Sequence, residues 1–304
     1  MNEKELLSRW GMTFAGEGDR TLITGSPNRT ERRFLFRDGK GVFHIAEGYA
    51  LRKQSSQIRQ NLLLEFLAEH GLPGIHPFLR TISGEHGEVS DALFWQIRPY
   101  IPAEAVPRET LGNRPEYALL WGDFLLQMKD ILQHSSTPPP MPNPPFFMAD
   151  FLPRLRNLVR NEMPSIMEEL DKFEELLVPF FKWERKADGM FAHGDFHPGN
   201  LLMGEGGIRG VIDWEFAGVK FPGYDMALLM GCLAMDDPEN LVSPTVLTLR
   251  DHLFEKGYLP EDAWDLLPQM VAAARLGWLG EWLTLKEESL VRQELALLSL
   301  LLEV

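Results

Sequence analysis

The chain reads as an α+β protein: a small antiparallel sheet with one main helix, followed by a larger, mostly helical region. Three observations predict this. Short apolar runs bounded by turn residues fill the first hundred positions, helical apolar spacing dominates after Pro102, and 304 residues exceed what one core usually organises. The expected division is 1–100 and 101–304, with the boundary near 98–104.

In the first part, Leu6, Leu7 and Trp10 recur at helical spacing, which predicts a short amphipathic helix over 2–10. Thr21-Leu22-Ile23-Thr24 reads as a strand closed by Gly25-Ser26-Pro27-Asn28, and residues 31–37 read as a second strand. Asp38-Gly39-Lys40-Gly41 is a hairpin turn, because Asp-Gly tolerates positive φ, and it leads into a third strand at Val42–Ala46. Ile58, Leu62, Leu63, Phe66 and Leu67 predict a helix over 55–70, ended by Gly71. Phe78–Ile82 and Ala92–Tyr100 supply two further strands.

In the second part, helical patterns cover about 114–134, 147–181 and 223–234, then run almost continuously from 244 to the end. The proline-rich stretch 137–145 cannot be a helix interior and reads as a stiff loop between two helices.

Lys plus Arg number 30 and Asp plus Glu 44, a net charge of −14. That sign argues against nucleic acid or an anionic membrane as partner, since phosphates would be repelled; it is compatible with a cationic small molecule, and solubility alone is the plainer reading of it. One cysteine, Cys232, leaves no internal disulfide and fits a reducing compartment, so the cytoplasm is the expected location. No apolar run is long enough to span a bilayer. The chain is expected as a monomer or homodimer.

The most informative segment is Phe191-Ala192-His193-Gly194-Asp195-Phe196-His197-Pro198-Gly199-Asn200-Leu201-Leu202, followed by Gly210-Val211-Ile212-Asp213-Trp214-Glu215. Asp195 and Asn200 lie on a Pro- and Gly-containing loop. Leu201–Met203 then starts a strand, Glu205-Gly206-Gly207 turns, and Val211-Ile212 returns, so that Asp213 comes back beside Asn200. One carboxylate, one amide oxygen and a second carboxylate suit phosphoryl transfer. Mg²⁺ takes hard oxygen ligands and keeps several waters, while a separate carboxylate orients the acceptor hydroxyl and takes its proton. In protein kinases a catalytic Asp likewise precedes a metal-binding Asn by five residues, and a metal-binding Asp follows. A zinc site on His193, Asp195 and His197 is the rival reading. It leaves Asn200 and Asp213 unexplained, and no other His or Cys cluster completes it.

This two-part motif closely resembles the aminoglycoside phosphotransferase and choline kinase superfamily, small-molecule kinases with a bilobal protein-kinase-like fold. Phe221-Pro222-Gly223-Tyr224-Asp225 also resembles that family's next helix start. The resemblance implies Asp195 as catalytic base, Asn200 and Asp213 as Mg²⁺ ligands, and His193 and Asp225 as supports of the loop. His197 is implied either near the phosphates or as a further support. ATP or GTP would be the donor and a small molecule the acceptor. In the nucleotide-binding first part, the Gly25–Asn28 turn resembles the one that covers the phosphates. Trp95–Ile101 resembles the hinge whose backbone, around Ile97 and Tyr100, holds the base.

The chain departs from the family at one point. The family's third strand carries a Lys, paired with a Glu on the next helix, that neutralises phosphate charge. Here the alignment puts His44 and Gln60 in those places. Three accounts stay open: His44 donates to a phosphate, Arg52 or Lys53 substitutes, or the protein binds without turnover. For the acceptor, Arg275, Trp278, Glu281 and Trp282 share one helical face and, with Glu215, are candidates to hold an amine. A packed helix core is the plainer reading of the same face.

Overall fold

The computed structural model describes residues 3–19, 21, 23 and 30–303, which form two compact units. The first comprises Met1–Ala105, Asp130–Asn143 and Gly199–Ala217; the second comprises Val106–Lys129, Pro144–Pro198 and Gly218–Val304.

In the first unit, α1 (Glu3–Ser8) precedes β1 (Phe14–Glu17), β2 (Arg32–Asp38), β3 (Phe43–Ala50), α2 (Gln54–Glu69), β4 (Glu88–Ser90) and β5 (Leu93–Pro99). The five strands make one antiparallel sheet in the order β1-β2-β3-β5-β4. Strand side chains alternate between faces. One face of the sheet carries Phe34, Phe36, Ala46, Trp95 and Ile97, packed with Leu6, Leu7 and Trp10. Asp38 shapes the β2–β3 turn: its Oδ1 accepts the N–H groups of Lys40 and Val42, both at 2.9 Å, and Gly41 sits at φ 85°. Helix α2 ends at Gly71 (φ 81°), where Leu72 N–H returns to the Leu67 carbonyl at 3.0 Å.

Two strand expectations differ from the structure. The first strand lies at 14–17; of the segment expected at 21–24, residues 22 and 24 lie outside the described residues, as do Gly25 and Asn28. Phe78–Ile82 is not a strand. The Asn61 side chain takes over its backbone bonding, accepting from Phe78 N–H at 2.7 Å and donating to the Phe78 carbonyl at 3.3 Å, while Leu79 N–H reaches the Ile97 carbonyl at 2.7 Å.

The β7 (Leu201–Gly204) and β8 (Gly207–Val211) hairpin belongs to this unit. Val211 N–H donates to the Gly74 carbonyl at 2.9 Å, and Glu104 N–H to the Met203 carbonyl at 2.9 Å. Gly74 is required there: its φ is 73°, and a Cβ would meet Ile208 at 3.0 Å.

The second unit is mostly helical. It is built from α3 (Pro115–His134, through Lys129), α4 (Met148–Glu162), α5 (Met167–Leu176), α6 (Val178–Glu184), α7 (Tyr224–Asp236), α8 (Pro244–Glu255), α9 (Glu261–Trp264), α10 (Leu267–Leu285) and α11 (Glu288–Leu302). A short pair, β6 (Met190–Ala192) with β9 (Gly218–Lys220), completes it. The pattern over 147–181 is broken at Met163-Pro164, and the one from 244 at Gly257 (φ 64°) and Lys286 (φ 59°). Buried Glu184 caps α4, accepting the N–H groups of Met148 (2.8 Å) and Ala149 (3.0 Å). Helix α10 packs against α4, α7 and α11. Among the described residues no helix is long and apolar enough to cross a membrane.

Candidate functional site

In the second unit, β6 delivers His193-Gly194-Asp195. Gly194 adopts φ 85°, a conformation that favours glycine, and this turns the chain into the loop. The loop is held from the start of α7: Asp225 Oδ2 accepts His193 N–H at 2.6 Å and Oδ1 accepts Gly194 N–H at 2.9 Å. His193 is fully buried, and its Nδ1 accepts the Asp195 N–H at 3.1 Å. Phe196 stacks on Phe124 with ring centres 5.6 Å apart. Asp195 is 2% exposed, and its Oδ1 lies 3.6 Å from His197 Nε2. The His197 ring meets Trp278 edge-on at 6.1 Å.

Burial pushes the Asp225 carboxyl up to about 6, against the lowering effect of its two backbone hydrogen bonds and of Lys220. Burial likewise brings Lys220 down to about 8, with Asp225 opposing. The Lys220 ammonium lies 5.2 Å from the ring centres of both Phe146 and Tyr224.

In the first unit, the β7–β8 hairpin sets Asn200 beside Asp213. Leu201 pairs with Val211, and Ile212 N–H donates to the Asn200 carbonyl at 3.0 Å. Asn200 is 3% exposed. Asp213 sits in the left-handed region at φ 62°, ψ 55°, and the next residue, Trp214, is locked by its indole N–H on the Val211 carbonyl at 2.9 Å. Asn143, at the end of the proline-rich loop, donates to the carbonyls of Glu215 (2.7 Å) and Ala217 (2.9 Å) and so fixes the segment after Asp213.

Asp213 lines a recess of about 40 Å³ with Glu47, Tyr49, Gln60, Arg98 and Ile101 among its neighbours, and a second recess with Arg33, Glu47, Gln57 and Glu215. Asn200 and Asp213 are both hard oxygen donors, which fits a hydrated magnesium ion completed by phosphate oxygens. Among the described residues no group of three or more His, Cys, Asp or Glu side chains is placed to hold a metal ion.

Other candidates fall elsewhere. Strand alternation turns His44 away from the recess that Gln60 lines: its Nε2 lies 3.2 Å from Asp38 Oδ2, and its ring stacks on Phe36 at 5.4 Å. The structure therefore does not pair His44 with Gln60. The residue of β3 that shares the recess with Gln60 is Glu47. The Ile97 carbonyl already accepts Leu79 N–H, and Tyr100 N–H donates to the Phe43 carbonyl at 3.1 Å. Glu215 lies 3.9 Å from the Lys53 ammonium. Trp278 and Trp282 pack with ring centres 5.0 Å apart and planes tilted by 34°, the Trp282 indole N–H is bonded to Glu294 at 3.1 Å, and Glu281 is exposed.

Sequence reasoning missed Glu47, Tyr49, Arg98, Asn143 and Lys220. For Glu47 and Arg98 the available signal was one charged residue in each of two largely apolar strands, since charges are rarely buried unless paired.

Comparisons with known proteins bear on the family and the fold. The model of the phosphotransferase enzyme family matches residues 26–246. An aminoglycoside 3′-phosphotransferase from Escherichia coli is 26% identical over 265 residues, covering 82% of this chain and 83% of that protein. Among solved structures, the amicoumacin kinase hAmiN in complex with AMP-PNP, Ca²⁺ and Ami superposes with a TM-score of 0.69 at 14% identity, covering 98% of this chain and 93% of that one. The GDP and kanamycin complex of APH(2″)-IIia gives 0.63 at 12% identity, covering 97% and 96%. The fold is accordingly the protein-kinase-like fold of these enzymes. With its family model matched over most of its length, the chain belongs to the phosphotransferase enzyme family and is, as a class, a phosphotransferase acting on a hydroxyl group of a small molecule.

Proposed function

We propose that the chain moves the γ-phosphate of ATP or GTP, bound with Mg²⁺, to a hydroxyl of a small amine-bearing acceptor of the aminoglycoside, choline or amino-alcohol kind. The observation that supports this reading is the backbone hydrogen bond from Ile212 N–H to the Asn200 carbonyl, which brings Asn200 and the residue before Asp213 together at the strand ends of one hairpin. Asp195 precedes Asn200 by five residues on the same loop.

In this reading Asp195 accepts the proton of the acceptor hydroxyl as its oxygen bonds to phosphorus and the bond to the leaving nucleotide oxygen breaks. Asn200 and Asp213 hold the metal, which when bound neutralises charge on the phosphates. Asp225 keeps the Asp195 loop in shape through the backbone of His193 and Gly194. His197, between Asp195 and Trp278, orients the acceptor side of the loop. The net charge of −14 favours a cationic acceptor. The amicoumacin kinase, with its nucleotide analogue and divalent cation, and the GDP-bound neighbour support a nucleotide donor. A single cysteine suits the cytoplasm.

One observation favours a second reading, binding without turnover: β3 presents Glu47, not a lysine, to the recess. Transfer assays with ATP and GTP against aminoglycosides, choline and amino-alcohols separate the two. The expected result is transfer that falls on the order of 10²–10⁴-fold in Asp195→Ala. If neither nucleotide with Mg²⁺ raises the melting temperature and no acceptor is phosphorylated, the kinase reading fails.

A further inference from the structure

The recess beside Asp213 contains one arginine whose placement the reading above does not use. Arg98 stands on β5 opposite Ile45 of β3, and Glu47 lies diagonally across the same strand pair. Ile45, Glu47 and Tyr49 alternate onto the face opposite Ala46. Glu47 Oε2 accepts Arg98 Nε–H at 3.2 Å, and Oε1 accepts Nη2–H at 3.4 Å. The Tyr49 hydroxyl donates to Glu47 Oε2 at 3.1 Å. Arg98 and Glu47 are 8% and 5% exposed, so this ion pair is largely desolvated.

A guanidinium has five N–H donors. Among the described residues Glu47 engages one on Nε and one on Nη2, leaving both Nη1 protons and the second on Nη2 to a ligand. Burial works against the Arg98 charge, but Glu47, Tyr49 and Asp213 outweigh it, so the group stays cationic. Gln57 offers a place for a donor group of a ligand, such as a sugar hydroxyl or a water, since its amide oxygen only accepts. It is 4% exposed and lines the adjoining recess with Glu47 and Asp213, and among the described residues its Oε1 is buried without a partner. The recess exceeds the roughly 10–15 Å³ that one water needs, so it admits ligand oxygens.

Resting on the kinase reading, we infer that Arg98, pinned by Glu47 and Tyr49, is the cation that receives the donor's phosphate oxygens, supplied from β5 instead of by a lysine on β3. The fork geometry of arginine suits phosphate, and fixing it on a carboxylate removes the cost of orienting it when the nucleotide arrives.

The test is calorimetric binding of adenosine, ADP and ATP, and of guanosine, GDP and GTP, each with Mg²⁺. Wild type is expected to prefer the phosphorylated form of one base by at least about tenfold, one good charge-assisted contact's worth. Arg98→Met should erase most of that preference while the nucleoside binds within about twofold of wild type. Arg98→Lys should keep a measurable part of it. Removing one partner of a buried pair can unfold a chain, so Arg98→Met/Glu47→Gln, which leaves no unpaired charge, serves as the second carrier of the test. A phosphate preference that survives unchanged in Arg98→Met or in the double variant overturns the inference while leaving the kinase reading intact. A wild type that binds neither nucleotide overturns the kinase reading itself, and this inference with it.

Discussion

Asp225 holds the His193 backbone N–H at 2.6 Å and, through its other oxygen, the N–H of Gly194 at 2.9 Å. Both bonds need an ionised carboxylate, because a protonated one turns an O–H toward one of the two donors. With its carboxyl raised to about 6 by burial, Asp225 takes up a proton just below neutrality and releases the loop that carries Asp195. The kcat/KM profile should therefore fall on the acid side with an apparent pKa near 6. Lys220 lowers that value, so Lys220→Met should move the acid limb to higher pH. Profiles between pH 5 and 8 check both; coincident limbs in the two proteins would show that Asp225 does not govern the fall.

The same pair gives stability a pH dependence of defined sign. Asp225 is raised from 3.8 to about 6, so the folded chain holds a proton there that the unfolded chain has released; stability declines as pH rises through that window. Lys220 is lowered from 10.5 to about 8, so above 8 the unfolded chain holds the extra proton and stability recovers as pH rises. Their joint contribution is lowest between about 6 and 8, where both are charged. Each shift is worth about 3 kcal/mol. Urea midpoints of wild type and Asp225→Asn/Lys220→Met, compared at pH 4.5, 7 and 9.5, should differ most in favour of the double variant at pH 7. A difference independent of pH would contradict this.

Arg275 and Glu294 form a buried ion pair between α10 and α11, with Nε donating to Oε1 at 2.6 Å, and the Trp282 indole and Cys232 sulfur complete the cluster. Glu294→Gln leaves a buried guanidinium without its counter-charge and should cost about 3–5 kcal/mol. Arg275→Met/Glu294→Leu should recover most of that loss, because no charge is left in the core. Denaturant titration measures both. The cluster also bears on the acceptor: Trp282 is committed to Glu294, which leaves Trp278, beside His197, as the aromatic surface of α10 nearest the Asp195 loop.

Local turn chemistry made much of this legible in the sequence. Asp38 and Gly41 specify the β2–β3 hairpin, Gly71 ends α2, and Gly206 (φ 88°) with Gly207 (φ 133°) turns β7 into β8, so the Asn200–Asp213 neighbourhood follows from residues that tolerate positive φ. Phe78–Ile82 misled because its apolar alternation matches a strand, whereas a side chain 17 residues earlier, Asn61, satisfies its backbone. The recess residues were illegible for a different reason. Reading β3 out of register by an odd number of positions exchanges its two faces, and a shift of three puts His44 in the place of Glu47, which faces the recess. Arg98 and Asn143 are distant in sequence from what they contact, and no local pattern announces such pairs.

Asp213 combines a backbone role with a chemical one, and two substitutions separate them. Its φ of 62° lies where Asn and Asp are tolerated better than other side chains bearing a Cβ. Asp213→Asn keeps shape and turn preference but removes the charge, so the melting temperature should stay within a few degrees of wild type. Transfer should drop by at least about 10²-fold, because charge stabilisation at a metal amounts to several kcal/mol. Asp213→Ala should lose transfer to the same extent and also melt lower, since alanine adds on the order of 1 kcal/mol of left-handed strain. The difference in melting temperature between the two variants therefore reports the turn, and their shared loss of turnover reports the carboxylate. Raising Mg²⁺ should restore part of the activity of Asp213→Asn if the missing charge weakens metal binding. An Asn variant that turns over at the wild-type rate at ordinary Mg²⁺ would remove Asp213 from the metal site and leave it as a turn residue alone.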